Sequence, residues 1–162
     1  MRIYLVQHGR AKPKAEDPSR PLTPEGIEES TQMGELLSKI EIPISQILHS
    51  GKSRAQQTAN ILALGIQQKP EVEFHEGLAP QDDPRQLADI LDKNSEDIMI
   101  VGHLPHLQRL TSLLLTEEPE QNLVTFQNSG IVCLERNMDH SWTLRWAITP
   151  QLTGQTPLTP AP

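Results

Sequence analysis

Ile3-Tyr4-Leu5-Val6-Gln7-His8-Gly9-Arg10 opens the chain as a short apolar run that stops at a polar residue, a histidine and a glycine. The run reads as a strand. A strand ending in His-Gly carries an imidazole on a loop at its carboxyl edge, and the glycine leaves room for something to come close. In open α/β sheets that edge is where ligands bind.

Two later segments repeat the pattern. Ile44 to Leu48 reads as a strand that ends in His49-Ser50-Gly51, with Arg54 just beyond. Asp97-Ile98-Met99-Ile100-Val101 is a near-continuous apolar run, as expected of a strand buried on both faces, and ends in Gly102-His103. In a parallel sheet all three ends fall on one edge, and His8, Arg54 and His103 converge.

Helical patterns lie between the strands. Thr23-Pro24-Glu25 is a helix start: Thr23 caps, Pro24 suits the first position and Glu25 favours the positive end of the dipole. That helix runs to about Lys39, with Ile27, Met33, Leu37 and Ile40 expected inward. A second covers Lys52 to Leu64, with Ala55, Ala59, Leu62 and Ile66 as its apolar face and Gly65 as its terminator. Glu71 to Phe74 alternates as a short strand, and a helix from Pro84 to Leu91 turns Leu87, Ile90 and Leu91 inward. Leu104, Leu107, Leu110, Leu113 and Leu114 stripe the next helix. Asn128–Glu135 and Trp142–Ile148 form a hairpin about Asn137-Met138-Asp139-His140, with Trp142 and Trp146 on one face. Alternating strands and helices predict an α/β fold with a mostly parallel sheet.

Two stretches lack regular patterns. Residues 11–24 hold four prolines and several charges, and a loop this long directly after His8 favours a role at the site. A Pro/Thr-rich tail, residues 151–162, follows a domain expected to span residues 1–150.

At 162 residues the chain is long enough to bury a single core. A net charge of −7 speaks against non-specific nucleic-acid binding, which wants a basic surface. No apolar run approaches membrane-spanning length, so no membrane partner is expected. The N-terminus enters a strand directly, without a signal pattern. The one cysteine, Cys133, excludes an internal disulfide and fits a reducing cytosol. These features predict a cytoplasmic protein; the oligomeric state is left open.

Two imidazoles and arginines in one pocket suit a phosphoryl group. Arginine grips phosphate oxygens in a fork, and a neutral imidazole can attack phosphorus. His103-x-x-His106 has no carboxylate or cysteine nearby to complete a metal site, so neither metal nor cofactor is expected. Gly51-Lys52-Ser53 is not a nucleotide-binding loop, because Gln46 stands where its first glycine belongs. His49, His75, His106 and His140 are read as surface or packing residues, and Cys133 as a small buried hydrophobe.

Four stretches carry a family resemblance: Leu5-Val6-Gln7-His8-Gly9, Arg20-Pro21-Leu22-Thr23-Pro24-Glu25-Gly26, Ser50-Gly51-Lys52-Ser53-Arg54-Ala55-Gln56-Gln57-Thr58-Ala59 and Val101-Gly102-His103-Leu104-Pro105. In this order they resemble the histidine phosphatase, or phosphoglycerate-mutase-like, superfamily, and within it the SixA branch of phosphohistidine phosphatases. The resemblance implies a three-layer α/β/α sandwich with no cofactor or metal. It implies that His8 is the nucleophile, carrying a transient phosphohistidine. Arg54 and Arg20 would bind phosphoryl oxygens, and His103 would be the second pocket histidine, stabilising their charge.

The departure is Gln7, where the superfamily motif usually reads arginine, a phosphate ligand. Glutamine still donates through its amide but brings no charge; Arg10 is the nearby cation that could compensate. Superfamily members that cleave esters use a carboxylic acid on the leaving group. Glu76, Asp82 and Asp83 lie in the corresponding region, with Asp82 the candidate. A phosphohistidine relaxes the need, because its imidazole departs with a conjugate-acid pKa of about 6.5. The first expectation is therefore a phosphatase acting on phosphohistidine in a partner protein. A small-molecule phosphomonoesterase or mutase is the second, and a weakly catalytic phospho-group binder the third.

Overall fold

The computed structural model describes residues 1–153; the tail from residue 154 onward lies outside the described residues. Among the described residues six strands form one sheet in the order β3-β2-β4-β1-β5-β6. They are β1 Arg2–Gln7, β2 Gln46–His49, β3 Glu71–Phe74, β4 Ile98–Gly102, β5 Ile131–Arg136 and β6 Trp142–Ile148. The first four in sheet order are parallel, and β5 and β6 add an antiparallel hairpin beside β1.

The apolar runs sort by the two-residue period of a strand. On one face Tyr4, Val6, Met99 and Val101 pack with Met33 and Leu37 of α1 (Pro24–Leu37) and with Ala55, Ala59 and Leu62 of α2 (Ser53–Gly65). On the other, Ile3, Leu5, Ile98 and Ile100 pack with Leu87 and Leu91 of α3 (Pro84–Lys93) and with Leu107 and Leu110 of α4 (His106–Thr116). This is the three-layer α/β/α sandwich expected. Every residue of β4 is buried, as a central parallel strand requires.

Several details differ from the sequence reading. Ile27 and Ile40 are exposed; the inner seam of α1 is instead Gly26, Ser30, Met33 and Leu37. The first turn of α1 lies so close to the chain leaving β1 that a Cβ on Gly26 would sit 2.2 Å from the Arg10 carbonyl oxygen, so small residues occupy it. Ile90 is exposed and Leu113 and Leu114 are only half-buried, so each face is narrower than its leucine count suggests. Gly65 is the last residue of α2 rather than a left-handed cap. A Cβ there would fall 1.9 Å from the Gly34 carbonyl oxygen, so its role is the close approach of α1 and α2.

Trp142 and Trp146 lie on opposite faces, not one. Cys133 pairs with Trp146 but Leu134 with Leu144, so Arg145 is an extra residue and the pleat flips there. Trp146 meets Tyr4, their ring centroids 5.9 Å apart, while Trp142 packs on the α3/α4 side beneath Arg136. The strand expected from Asn128 begins only at Ile131, and Asn128–Gly130 form a turn instead, with Ser129 at φ 59°. Pro150–Thr153 form a short 3-10 turn across the expected start of the tail.

Candidate active site

His8 is the first residue beyond β1, and its backbone is pinned from three directions. Its N–H donates to the Gly102 carbonyl at 3.1 Å, and its own carbonyl accepts from Asn128 Nδ2 at 2.8 Å. The next N–H, of Gly9, donates to Thr58 Oγ1 on α2 at 2.9 Å. The imidazole is therefore fixed by β4, by the turn before β5 and by α2.

Hydrogen bonding decides its tautomer. Nδ1 lies 2.7 Å from the Gly9 carbonyl oxygen, which only accepts, so Nδ1 carries the hydrogen. In the neutral ring Nε2 then holds the lone pair, and Arg54 Nε donates to it at 3.2 Å. Burial, helped by the charges of Arg54 and Arg20 and opposed by the Gly9 hydrogen bond, pushes the His8 pKa down to about 4. His8 is thus neutral at pH 7.

Arg54 stands in the first turn of α2, and only 8% of it is exposed. Arg20 comes from the long loop, which is clamped rather than free. Lys12 N–H bonds the Pro21 carbonyl at 2.8 Å, and Thr23 N–H bonds that of Arg10 at 2.9 Å. The Leu22 N–H reaches Gln57 Oε1 on α2 at 2.7 Å. Arg20 itself is left-handed, at φ 49°, with Nε donating to the Lys12 carbonyl at 3.2 Å. The loop so held turns Arg20 into the cleft that holds His8.

His103 follows β4 and is 2% exposed. Its ring centroid lies 4.9 Å from that of His8, and its Nε2 lies 2.5 Å from Ser50 Oγ. Burial, then repulsion between its protonated form and those of His8 and His106 and the charges of Arg54 and Lys52, pushes its pKa down to about 3. Both histidines would titrate near 6.5 in the unfolded chain. Below that pH the unfolded state therefore binds protons that the native state does not. Folding stability from this source is full above pH 6.5 and is lost as pH falls through 6.5 toward 4. Urea midpoints are expected to drop between pH 7.5 and 5, and to drop less in His103→Gln; an identical drop in both would remove His103 from the account.

Gln7 lines the same cleft, its backbone carbonyl accepting from Ser129 N–H at 2.9 Å, while its side-chain Oε1 is buried without a partner. Arg10 also lines the cleft, but its guanidinium is engaged with Glu29 at 2.9 Å and does not stand in for the missing arginine. The cleft, about 590 Å³, is completed by Ala11, Thr23, Glu25, Leu104 and Asn128.

Asp82 is not brought to this cleft. Its Oδ2 accepts from the Ala79 N–H at 2.7 Å in the turn before α3, and Asp83 caps that helix through the Arg85 N–H at 3.0 Å. Both carboxylates are engaged in building the turn. Glu25 is the one carboxylate among the described cleft residues, and its pKa is lowered by backbone and Thr23 hydrogen bonds at the start of α1. The sequence reading gave Asn128, Glu25 and Ser50 no role at the site, although Glu25 and Ser50 stand in its quoted motifs. Thr58 and Gln57 were quoted in a motif without a role. Of the two readings given for His49, surface or packing, the structure shows packing: it is buried, and its Nδ1 accepts from the Gly51 N–H at 3.0 Å. Among the described residues no group of three or more His, Cys, Asp and Glu is placed to hold a metal ion. No described helix is long and apolar enough to cross a membrane.

A histidine with an unprotonated Nε2, set among two arginines and a second histidine at the carboxyl edge of a sheet, defines a class. The chain belongs to the histidine phosphatase superfamily (branch 1), whose family model matches residues 3–82. Within that class it is 25% identical over 155 residues to the phosphohistidine phosphatase SixA of Escherichia coli, covering 93% of this chain and 94% of that one. It is 32% identical over 141 residues to an uncharacterized protein of Picosynechococcus sp., covering 83% and 84%. A structure of the protein histidine phosphatase SixA complexed with tungstate superposes with a TM-score of 0.81 at 25% identity, over 93% of this chain and 97% of that one. An alpha-ribazole phosphatase of Shigella flexneri shares the fold, with a TM-score of 0.74 at 18% identity over 90% and 95% of the two chains.

Proposed function

We propose that this chain is a metal-independent phosphohistidine phosphatase that takes its phosphoryl group from a partner protein onto His8. The observation that carries this is the tautomer of His8: with Nδ1–H held by Gly9, the Nε2 lone pair points to Arg54. An arriving phosphoryl group would draw the Arg54 guanidinium from that lone pair onto its own oxygens, with Arg20 beside it. Nε2 then attacks phosphorus. The P–N bond to the substrate ring, which carries a proton on its other nitrogen, breaks; its electron pair stays on the departing nitrogen, so a neutral imidazole leaves, and a P–Nε2 bond forms. The Nδ1–H···O bond to Gly9 stabilises the positive charge on the phosphorylated ring. Water then attacks phosphorus, the P–Nε2 pair returns to His8, and the water's protons stay on the departing phosphate or pass to solvent.

The leaving group supports a P–N substrate. An imidazole departs with little help, whereas an alkoxide needs a proton from an acid. Asp82 is tied into its turn, and Glu25 is held ionised, so neither is set up to give one. The cleft is open, which suits a side chain presented by a protein. A single buried cysteine fits a cytoplasmic setting.

Hydrolysis of a histidine-phosphorylated protein and of a simple aryl phosphate should be compared under one set of conditions. A kcat/KM about 10²-fold or more in favour of the phosphohistidine is expected, on the scale of one lost general acid. Preference for the ester would move the assignment to a phosphomonoesterase or mutase. Binding without turnover of either would make the chain a phospho-group reader.

A further inference from the structure

Ser50 is the one hydrogen-bond partner of His103 side-chain nitrogens among the described residues. Its Oγ lies 2.5 Å from Nε2, while Nδ1 is buried without a partner. The pair arises from the sheet: β2 and β4 are parallel neighbours with His49 beside Val101, so Ser50 and Gly102-His103 leave the edge side by side.

The turn that carries Ser50 is built to stay still. Gly51 has φ +76°, and its N–H donates to the buried His49 Nδ1 at 3.0 Å. The Phe74 ring lies so close that a Cβ on Gly51 would come within 2.8 Å of it. Ser50 Oγ has no other hydrogen-bond partner among the described residues. Its oxygen is held while its proton is free to turn, and a hydroxyl can donate or accept.

The groups facing His103 are His8 from the end of β1, Lys52 and Arg54 from the start of α2, and His106 on α4, with no carboxylate among them. Together with burial they keep the ring neutral while the cleft is empty. A phosphoryl dianion brings the opposite charge to the same place. We propose that Ser50 is a positioning residue that turns from hydrogen-bond donor to acceptor when a phosphoryl group enters, letting His103 take up one proton from solvent without moving. In the empty cleft the Ser50 O–H donates to the Nε2 lone pair and Nδ1 carries the hydrogen. With the anion bound, Nε2 carries the added proton and donates it to Ser50 Oγ; that proton returns to solvent when the product leaves. The inference rests on the reading of this cleft as a phosphoryl site. It adds the residue that lets a buried, cation-surrounded histidine become an imidazolium on demand.

Tungstate, a tetrahedral dianion, is a suitable probe. Its binding at pH 7.5 can be followed by calorimetry in two buffers of different ionisation enthalpy, which counts protons taken up. The wild-type chain is expected to take up close to one proton. Ser50→Ala, left with an unpaired N–H on a buried imidazolium, is expected to bind about tenfold more weakly and to take up fewer protons. Ser50→Thr restores both. Nitrogen-15 NMR of His103 should show one protonated ring nitrogen in the empty protein and two with tungstate bound. Wild-type affinity and proton uptake in Ser50→Ala would overturn the role of Ser50 alone, as would wild-type binding without proton uptake. A wild-type chain that does not bind tungstate at all would overturn the phosphoryl reading of the cleft, and the role of Ser50 with it.

Discussion

His8→Ala is expected to lower kcat on a phosphohistidine protein by at least about 10⁴-fold, the scale on which enzymes lose their nucleophile. Among the described residues no other group in the cleft is set up to replace it. His103 is bonded through Nε2 to Ser50, and its Nδ1 is buried. Glu25, the cleft carboxylate, is already ionised and weakly nucleophilic. The fold should tolerate the change. The contacts that fix this position run through the backbone, to Gly102, Asn128 and, one residue on, Thr58, and alanine keeps them all. Steady-state turnover beside a melting curve makes the check. A well-folded His8→Ala that retains a tenth of wild-type turnover would end the nucleophile assignment.

Arg54→Ala carries the second large effect, about 10²- to 10³-fold in kcat/KM, comparable to removing one preorganised donor from a transition-state site. Arg54 acts twice. In the reaction proposed above it grips the phosphoryl oxygens, and in the structure it donates to His8 Nε2 and its charge helps keep His8 neutral. Its loss should therefore shift the acid limb of the pH profile upward, toward the ordinary histidine range, as well as lower the rate. Arg54→Lys keeps the charge but not the fork and should recover the pH limb better than the rate. A loss of rate with an unmoved acid limb would show that Arg54 does not set the protonation of His8.

Gln7 bears on these magnitudes. Where an arginine is usual, this cleft has a neutral amide whose carbonyl is buried without a partner. A buried orphan acceptor costs about 1–3 kcal/mol. In the proposed reaction the remaining guanidiniums, Arg54 and Arg20, would therefore carry more of the anion's charge than they would beside a third arginine. That is why removing Arg54 ranks second only to removing His8.

Much of the site was legible in the chain because a parallel sheet collects strand ends. His8, Arg54 and His103 each stand just past an apolar run, and the order of elements was enough to bring them to one edge. Arg20 came from a proline-rich loop whose path depends on Gln57, a side chain 37 residues away, so its place followed from the family motif rather than from any local pattern. Asn128 was hidden because the apolar run after it made the whole segment read as strand, while the backbone turns first at Ser129. Asp82 stands in the turn before α3, where its Oδ2 accepts from the Ala79 N–H, and it is not among the residues lining the cleft. The faces of Trp142 and Trp146 were lost to a bulge of one residue, which periodicity cannot see. Gly65 shows the same limit at a helix: a glycine near an end suggests a cap, yet here it exists for contact with Gly34.

The central claim is a covalent phosphoryl group on Nε2 of His8. Rapid quenching of turnover in base, which preserves phosphohistidine, followed by peptide mass spectrometry and phosphorus-31 NMR, tests it directly. The account predicts one phosphorylated peptide, the one containing His8, with the phosphoryl on Nε2 because Gly9 holds Nδ1–H. Phosphorylation of Nδ1 or of another residue, or full turnover with no phosphoryl group ever captured on His8, would contradict it.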